Sequence, residues 1–283
     1  MPTSTALTRV ASGYGLLEGG RWHPEQGLLF SDMLGAGGVH ALRPGAEHPV
    51  TVLPHRKGIG GLVPHVAGGL VVSGRNVSHK HFDGTGSVLH ETAADEQFFN
   101  DLTADRAGRL YVGSVPVVHD GSQRGRLYRI DLDGHFDVLA DDVLISNGLG
   151  ADPTDTWLYH VDSPRRAIRR YRLADGGHES FVDTSEYAGV PDGLAVAADG
   201  SVWVAMAGGG VVVAWDASGR RSAEIAVPAE LVTSVCFGDA DLRTLYVLSG
   251  SNAEHPDPEG GSVFRTPAPC VGLPSPQARI CLA

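Results

Sequence analysis

The sequence predicts an all-β fold, a six-bladed β-propeller with four antiparallel strands in each blade. Two observations predict it: a high glycine content and a strand pattern that recurs along the whole chain. Glycine accounts for 38 of 283 residues, and 17 prolines add further turn signals; the glycine share is almost double the usual ~7%. Few segments show helical periodicity, so the chain is expected to consist of strands separated by turns.

The repeat consists of short apolar runs that follow Gly or Asp turns. The six runs are centred on Leu29, Val71, Tyr111, Tyr159, Trp203 and Tyr246. Successive centres lie 40 to 48 residues apart. A second strand-like run follows each centre, as at 125–130, and another apolar run precedes it, as at 193–197. A four-stranded unit of this length is typical of a propeller blade.

Six such units account for nearly the whole chain, so we expect a single propeller domain over residues 1–283. An ordinary β-sandwich with accidental spacing is the alternative interpretation. That alternative does not explain six matched pairs of strands.

Charge and cysteine content limit the partners and the compartment. Lys and Arg number 22 and Asp and Glu 33, a net charge of −11, which argues against binding nucleic acid or an anionic membrane. A small-molecule substrate is expected, and the oligomeric state stays open. Cys236, Cys270 and Cys281 form no paired motif, and no signal peptide or apolar spanning segment is recognised. We therefore expect a cytoplasmic protein.

Polar residues recur at one fixed position in the repeat, 11 or 12 residues before each strand centre. In chain order this position holds Glu18, Gly60, Asn100, Asn147, Asp192 and Ser234. In a propeller this offset falls near the start of the innermost strand of each blade. Side chains at this position from different blades therefore converge on the central axis.

Two carboxylates and two carboxamides that face one another need a cation, because buried unpaired carboxylates are costly. Glu18, Asn100, Asn147 and Asp192 are oxygen donors, which suit Ca²⁺ best, with Mg²⁺, Mn²⁺ or Zn²⁺ as alternatives. The competing interpretation is that Asn-Gly, Asn-Asp and Asp-Gly serve only as turns. Glu18 argues against it, since a turn has no need of glutamate.

Several fragments resemble the senescence-marker-protein, gluconolactonase and luciferin-regenerating family. They are Glu18-Gly-Gly-Arg-Trp-His, Asn100-Asp-Leu, Ser146-Asn-Gly-Leu, Pro191-Asp-Gly-Leu and Thr233-Ser-Val-Cys-Phe-Gly. The resemblance spans almost the whole chain. It implies a six-bladed propeller with a catalytic divalent metal, commonly Ca²⁺, held by the four residues proposed above. It also implies lactone hydrolysis, while a similar group of fluorophosphatases cleaves organophosphates.

The resemblance also suggests roles for two aspartates. Asp192 is expected to be both a metal ligand and the general base that accepts a proton from water. Direct nucleophilic attack by this carboxylate is the rival mechanism, proposed for the fluorophosphatase relatives. Asp101 is expected to orient the ligands by accepting hydrogen bonds, although a surface turn is an equally simple role for it.

Strand direction predicts the pocket walls, because the loops that follow the aligned runs return to the metal face. These loops carry His119, Asn252 and His255, and the segment 55–57 is expected beside them. Sugar-lactone members of the family carry an arginine two positions before the residue matching Asn100 and an acid in the third-blade loop. Here Phe98 and Val118 stand near those places, so we expect a substrate more apolar than a sugar lactone. Alternatively, Phe98 points into the blade core.

The sequence thus favours a divalent-metal-dependent hydrolase of lactone or related ester bonds. A phosphotriester or fluorophosphate hydrolase is one alternative. The other is a calcium-binding propeller with a ligand-binding, isomerase or cyclase role, since a fold does not determine a function.

Overall fold

The computed structural model describes residues 7–54 and 58–282, and within them it confirms the predicted six-bladed propeller. The chain begins with β1 (Thr8–Tyr14), which belongs to the sixth blade. Blade 1 consists of β2 (Leu17–His23), β3 (Gly27–Asp32), β4 (Val39–Leu42) and β5 (Val50–Leu53). Blade 2 consists of β6 (Leu62–Pro64), β7 (Leu70–Val72), β8 (Asn76–Lys80) and β9 (Gly86–Glu91). Blade 3 consists of β10 (Glu96–Ala104), β11 (Leu110–Pro116), β12 (Gly125–Ile130) and β13 (Phe136–Val143). Blade 4 consists of β14 (Ser146–Ala151), β15 (Trp157–Asp162), β16 (Ala167–Arg172) and β17 (His178–Asp183). Blade 5 consists of β18 (Val190–Val196), β19 (Val202–Ala207), β20 (Val211–Trp215) and β21 (Arg221–Ala226). Blade 6 consists of β22 (Val232–Gly238), β23 (Thr244–Ser249) and β24 (Gly261–Pro267), together with β1.

Tight turns between the strands follow from the Asp and Gly residues of the repeat. Between β20 and β21, the Asp216 carboxylate accepts hydrogen bonds from the backbone N–H groups of Ser218 and Arg220 at 2.9 and 3.1 Å. Gly219 then adopts a φ of +83°, which a side chain would disfavour. The turn is therefore closed by side-chain chemistry as well as by the backbone.

The innermost strands β2, β6, β10, β14, β18 and β22 contact one another in this order and close into a ring. Hydrophobic residues fill the spaces between neighbouring sheets. Between blades 2 and 3, for example, Val63, Phe99 and Leu102 are fully buried in one cluster. Because each sheet buries both faces against its neighbours, the axis is surrounded by rigid inner strands.

Both ends of the chain help to close the ring. Strand β1 pairs antiparallel with β24, with Thr8 opposite Arg265, and so supplies the outer strand of blade 6. The sequence repeat did not predict this pairing, because β1 is more than 250 residues from its partner. At the other end, Ala278 N–H donates to the Pro64 carbonyl at 2.8 Å, which ties the C-terminal segment to blade 2.

The described ranges contain no helix long and apolar enough to cross a membrane.

Candidate metal centre

Four of the inner strands are irregular at the residues predicted to bind a metal. The pairing register shifts between Glu18 and Arg21 in β2, and between Phe99 and Leu102 around Asn100 in β10. It also shifts between Ser146 and Leu149 around Asn147, and between Pro191 and Leu194 around Asp192. Of the two blades without a predicted donor, blade 6 also shows a shift, between Val232 and Ser234, whereas in blade 2 β6 pairs with β7 without one. A β-bulge re-aims a side chain, so these irregularities turn the four donors away from the ordinary strand pleat.

The two asparagines contact each other directly. Asn100 Nδ2 donates to Asn147 Oδ1 at 2.6 Å and to the Ser146 carbonyl at 2.8 Å. Asn147 Nδ2 in turn donates to Ser163 Oγ at 2.8 Å, and Ser163 Oγ donates to the Pro191 carbonyl at 2.6 Å. This chain of hydrogen bonds occupies both amide nitrogens, so the Asn100 carboxamide oxygen is directed elsewhere. The contact of Ser163 with Asn147 could not be predicted from the sequence.

The two predicted carboxylate ligands are buried and interact electrostatically. Glu18 and Asp192 are each only 8% exposed. Burial raises the pKa of Glu18 well above its usual range, and the charges of Asp192 and Asp101 raise it further. Burial likewise raises the pKa of Asp192, with Asp101 adding to the effect. Three carboxylates therefore lie close enough to repel one another in a poorly solvated space.

One oxygen of this group has no hydrogen-bond partner. Asp192 Oδ1 is buried and receives no hydrogen bond from the protein. A buried carboxylate oxygen without a donor is unfavourable. A cation bound by oxygen donors would remove that penalty. The donors present are therefore of the kind that binds a divalent metal.

Within residues 7–54 and 58–282, no three or more side chains of His, Cys, Asp and Glu form a cluster placed to hold a metal ion. Two of the four predicted ligands are asparagines. The predicted centre therefore depends on the carboxamides as much as on the carboxylates.

Blade 2 supplies no predicted ligand, and its two glycines make room for residues of blade 3. A Cβ atom on Gly60 would lie 2.2 Å from Asn100 Oδ1 and 3.0 Å from Asn100 Cα. A Cβ atom on Gly61 would lie 2.4 Å from the Leu102 nitrogen and 2.6 Å from Asp101 Oδ1. The glycine found at the repeated polar position thus has a physical reason, because the Asn100 carboxamide fills the space beside it.

Asp101 lies next to the four donors and is held by backbone and arginine contacts. Its Oδ1 accepts from Leu102 N–H at 2.7 Å and its Oδ2 from Leu149 N–H at 3.3 Å. Arg21 Nη2 lies 3.6 Å from Asp101 Oδ1 and donates to the Leu102 carbonyl at 2.8 Å. Arg21 was not predicted from the sequence, because its partners in blade 3 are about 80 residues away.

The predicted pocket residues of the third blade lie in its inner strand and in the loop after β11. Phe98 is half-buried and lies outside the hydrophobic clusters, whereas Phe99 is fully buried between blades 2 and 3. Val118 and His119 are exposed in the loop after β11. Their place in a substrate pocket stays a prediction, and the segment 55–57 lies outside the described residues.

Asn252 and His255 lie together in the long loop after β23. Asn252 Oδ1 accepts from the backbone N–H groups of Glu254 and His255, so it shapes the loop. His255 Nδ1 lies 3.1 Å from Glu230 Oε2, and the His255 ring would contact a Cβ atom at Gly208 at 3.2 Å. His255 therefore joins the loops of blades 5 and 6.

A separate cavity opens at the opposite end of the axis. It has a volume of about 560 Å³ and is lined by the C-terminal ends of the inner strands, including Thr103, Leu194 and Cys236. The segment from Leu273 to Gln277 also lines it. Since the four donors lie near the other ends of these strands, this cavity is distinct from the candidate centre. Arg21 lines it as well and lies between the two.

The fold defines the class of protein, a six-bladed propeller of four-stranded antiparallel blades. A sequence profile described as the SMP-30/gluconolactonase/LRE-like region matches residues 16–251. The chain belongs to this family, and the resemblance found in the sequence fragments is confirmed.

Relatives of known name are similar over nearly their full length. The alignment with a pentonolactonase of Haloferax volcanii is 285 positions long and 33% identical, and it covers 95% of this chain and 96% of the relative. The alignment with a 6-deoxy-6-sulfogluconolactonase of Pseudomonas putida is 267 positions long and 35% identical, and it covers 89% of this chain and 90% of the relative. A solved structure described as a calcium-binding protein, regucalcin, from Agrobacterium tumefaciens matches with a TM-score of 0.86 at 22% identity and 98% coverage of each chain. This last likeness supports the fold.

Proposed function

We propose that this chain is a metal-dependent hydrolase of lactone or related ester bonds, with Ca²⁺ as the bound ion. The observation that carries the proposal is the buried Asp192 Oδ1, which has no donor although the Asp192 charge acts on the buried Glu18 carboxyl. Two relatives that span most of the chain are named as lactonases, which supports the reaction class.

Glu18, Asn100, Asn147 and Asp192 are the residues that would hold the ion. A divalent cation bound there supplies a Lewis acid for the lactone carbonyl. The hydrogen bonds from Asn147 to Ser163 and from Ser163 to the Pro191 carbonyl keep the carboxamide and the Asp192 backbone in fixed positions. Such rigid placement matters because catalytic groups must be positioned before the reaction begins.

Asp192 is also the proposed proton acceptor. Burial raises the pKa of the Asp192 carboxyl in the metal-free protein, and a carboxylate placed beside the attacking water can act as a general base. In the proposed reaction, the Asp192 carboxylate takes a proton from the attacking water and later returns it to the leaving alkoxide. Direct attack by this carboxylate on the carbonyl is the alternative role.

The substrate is proposed to be more apolar than a sugar lactone, such as an aryl or alkyl lactone. Phe98 is half-buried outside the core, and Val118 is 36% exposed on the neighbouring loop. Neither side chain can form a hydrogen bond with a hydroxyl. A sugar hydroxyl left unpaired against them would lose about 1–3 kcal/mol of binding free energy.

The experiment is a panel of apolar lactones, esters and gluconolactone, assayed with Ca²⁺ and with a chelator. We expect turnover of apolar lactones, its loss on chelation, and its loss in Asp192→Ala and Asn147→Ala. Asp175→Ala, which removes a carboxylate from an exposed turn, is the matched control and should keep full activity. Turnover that survives chelation refutes metal dependence, and equal rates on gluconolactone refute the apolar pocket.

Phosphotriester or fluorophosphate hydrolysis is the second candidate, since it needs the same Lewis acid and an apolar pocket. Including such esters in the panel distinguishes it. Tight Ca²⁺ binding without turnover of any ester would instead favour a ligand-binding, isomerase or cyclase role. We also propose a cytoplasmic location, which the three free thiols of Cys236, Cys270 and Cys281 support.

A further inference from the structure

A buried ion pair lies directly beside the candidate metal centre. Arg21 and Asp101 have side chains that are each 8% exposed, and Arg21 Nη2 lies 3.6 Å from Asp101 Oδ1. Arg21 comes from blade 1 and Asp101 from blade 3. Arg21 therefore reaches past blade 2, where Gly61 leaves room for Asp101 and Leu102.

The Asp101 carboxylate lies beside two of the predicted ligands. It follows Asn100 directly in the chain, and its Oδ2 accepts a hydrogen bond at 3.3 Å from Leu149 N–H, two residues after Asn147. Asp101 is not itself a predicted ligand, but its charge adds to those of Glu18 and Asp192, and a divalent cation balances only two negative charges.

We propose that Arg21 is a positioning residue that matches the charge of this centre to a divalent cation by neutralising Asp101. This inference rests on the proposed metal centre and deepens it. Arg21 also donates to the Gly20 and Leu102 carbonyls, at 2.9 and 2.8 Å, which fixes its guanidinium beside Asp101. The charges that remain are those of the Glu18 and Asp192 carboxylates and of the divalent cation, and these sum to zero.

The proposal predicts an order of Ca²⁺ affinities that a purely structural ion pair would not produce. Asp101→Asn leaves the Arg21 charge uncompensated near the cation, so the affinity should fall at least about tenfold. Arg21→Met should bind Ca²⁺ no more weakly than wild type. The double variant removes both charges and should regain an affinity within about threefold of wild type, because the centre again carries two negative charges.

The experiment is calorimetric titration of the metal-free protein with Ca²⁺, with circular dichroism of each variant to check folding. Asp105→Asn, which breaks the buried contact with Arg109 at the far end of β10, is the matched control and should bind Ca²⁺ as wild type does. If Arg21→Met does not fold, Asp101→Asn and the double variant still decide the question, since removing both partners of a buried pair is better tolerated than removing one.

The outcomes separate this inference from the proposed function. Wild type that binds Ca²⁺, together with Asp101→Asn that binds it equally well, overturns the charge-matching role alone. A double variant as weak as Asp101→Asn also overturns it, because Asp101 would then act through its position. Failure of wild type to bind Ca²⁺, Mg²⁺ or Mn²⁺ overturns both the inference and the proposed centre.

Discussion

The substitution Gly60→Ala tests whether the empty space in blade 2 positions a metal ligand. The added methyl group would lie 2.2 Å from Asn100 Oδ1 and 3.0 Å from two backbone atoms of Asn100, its Cα and its carbonyl carbon. Rotation of the carboxamide relieves only the first contact. The backbone contacts can be relieved only if β10 moves away from blade 2.

The expected magnitude follows from these contacts. Overpacking of this kind costs about 1–3 kcal/mol of folding stability, which lowers the midpoint of thermal unfolding by roughly 2–5 °C in a chain of this size. The φ of Gly60 lies outside the left-handed region, so alanine adds no backbone strain. A displaced ligand should weaken Ca²⁺ binding by about 10- to 100-fold, as loss of supporting contacts does in other metal sites.

The assay is calorimetric Ca²⁺ titration combined with thermal unfolding of the metal-free protein. Gly177→Ala is the control, because its added methyl group would meet only the ends of exposed Asp175 and Arg172 side chains, at 3.1 and 3.4 Å. That control should change neither quantity. Wild-type Ca²⁺ affinity in Gly60→Ala would refute the claim that Gly60 makes room for a ligating Asn100.

Two further predictions concern stability. The folded-state pKa of Asp192 is raised above its unfolded value, so the metal-free protein loses stability as the pH rises from the unfolded towards the folded pKa. Metal-free Asp192→Asn should therefore gain stability relative to wild type between pH 4 and pH 8; urea titrations at both pH values measure this, and an equal difference at both contradicts it. Ile280 is 3% exposed in the cluster between blades 2 and 3, so Ile280→Ala should lower the free energy of unfolding by about 2–5 kcal/mol. The control Leu132→Ala, at a site 45% exposed, should leave the urea midpoint nearly unchanged. Similar midpoints for both variants would show that the C-terminal segment adds no stability.

Local sequence signals predicted the blades because each strand is bounded by its own turn residues. The Asp216 turn shows the mechanism, since the aspartate accepts backbone hydrogen bonds and Gly219 adopts the left-handed conformation. The outer strand of blade 6 was different. Thr8–Tyr14 pairs with Gly261–Pro267, and no local pattern records a partner at the other end of the chain.

The candidate ligands share a repeat position, so the sequence could group them, although their metal binding stays a prediction. Contacts between blades carried no such signal. Arg21 and Ser163 act on residues of other blades or loops, and only closure of the ring brings them close. Gly60 left one trace, as the only glycine at a position that is otherwise polar.

A crystal structure of the protein grown with Ca²⁺, repeated with Mn²⁺ for its anomalous signal, tests the central claim most directly. We expect one anomalous peak surrounded by the side-chain oxygens of Glu18, Asn100, Asn147 and Asp192, with Ca²⁺ at about 2.3–2.6 Å from its ligands. Density for water alone among these side chains at saturating Ca²⁺, or a metal bound only elsewhere, would contradict it.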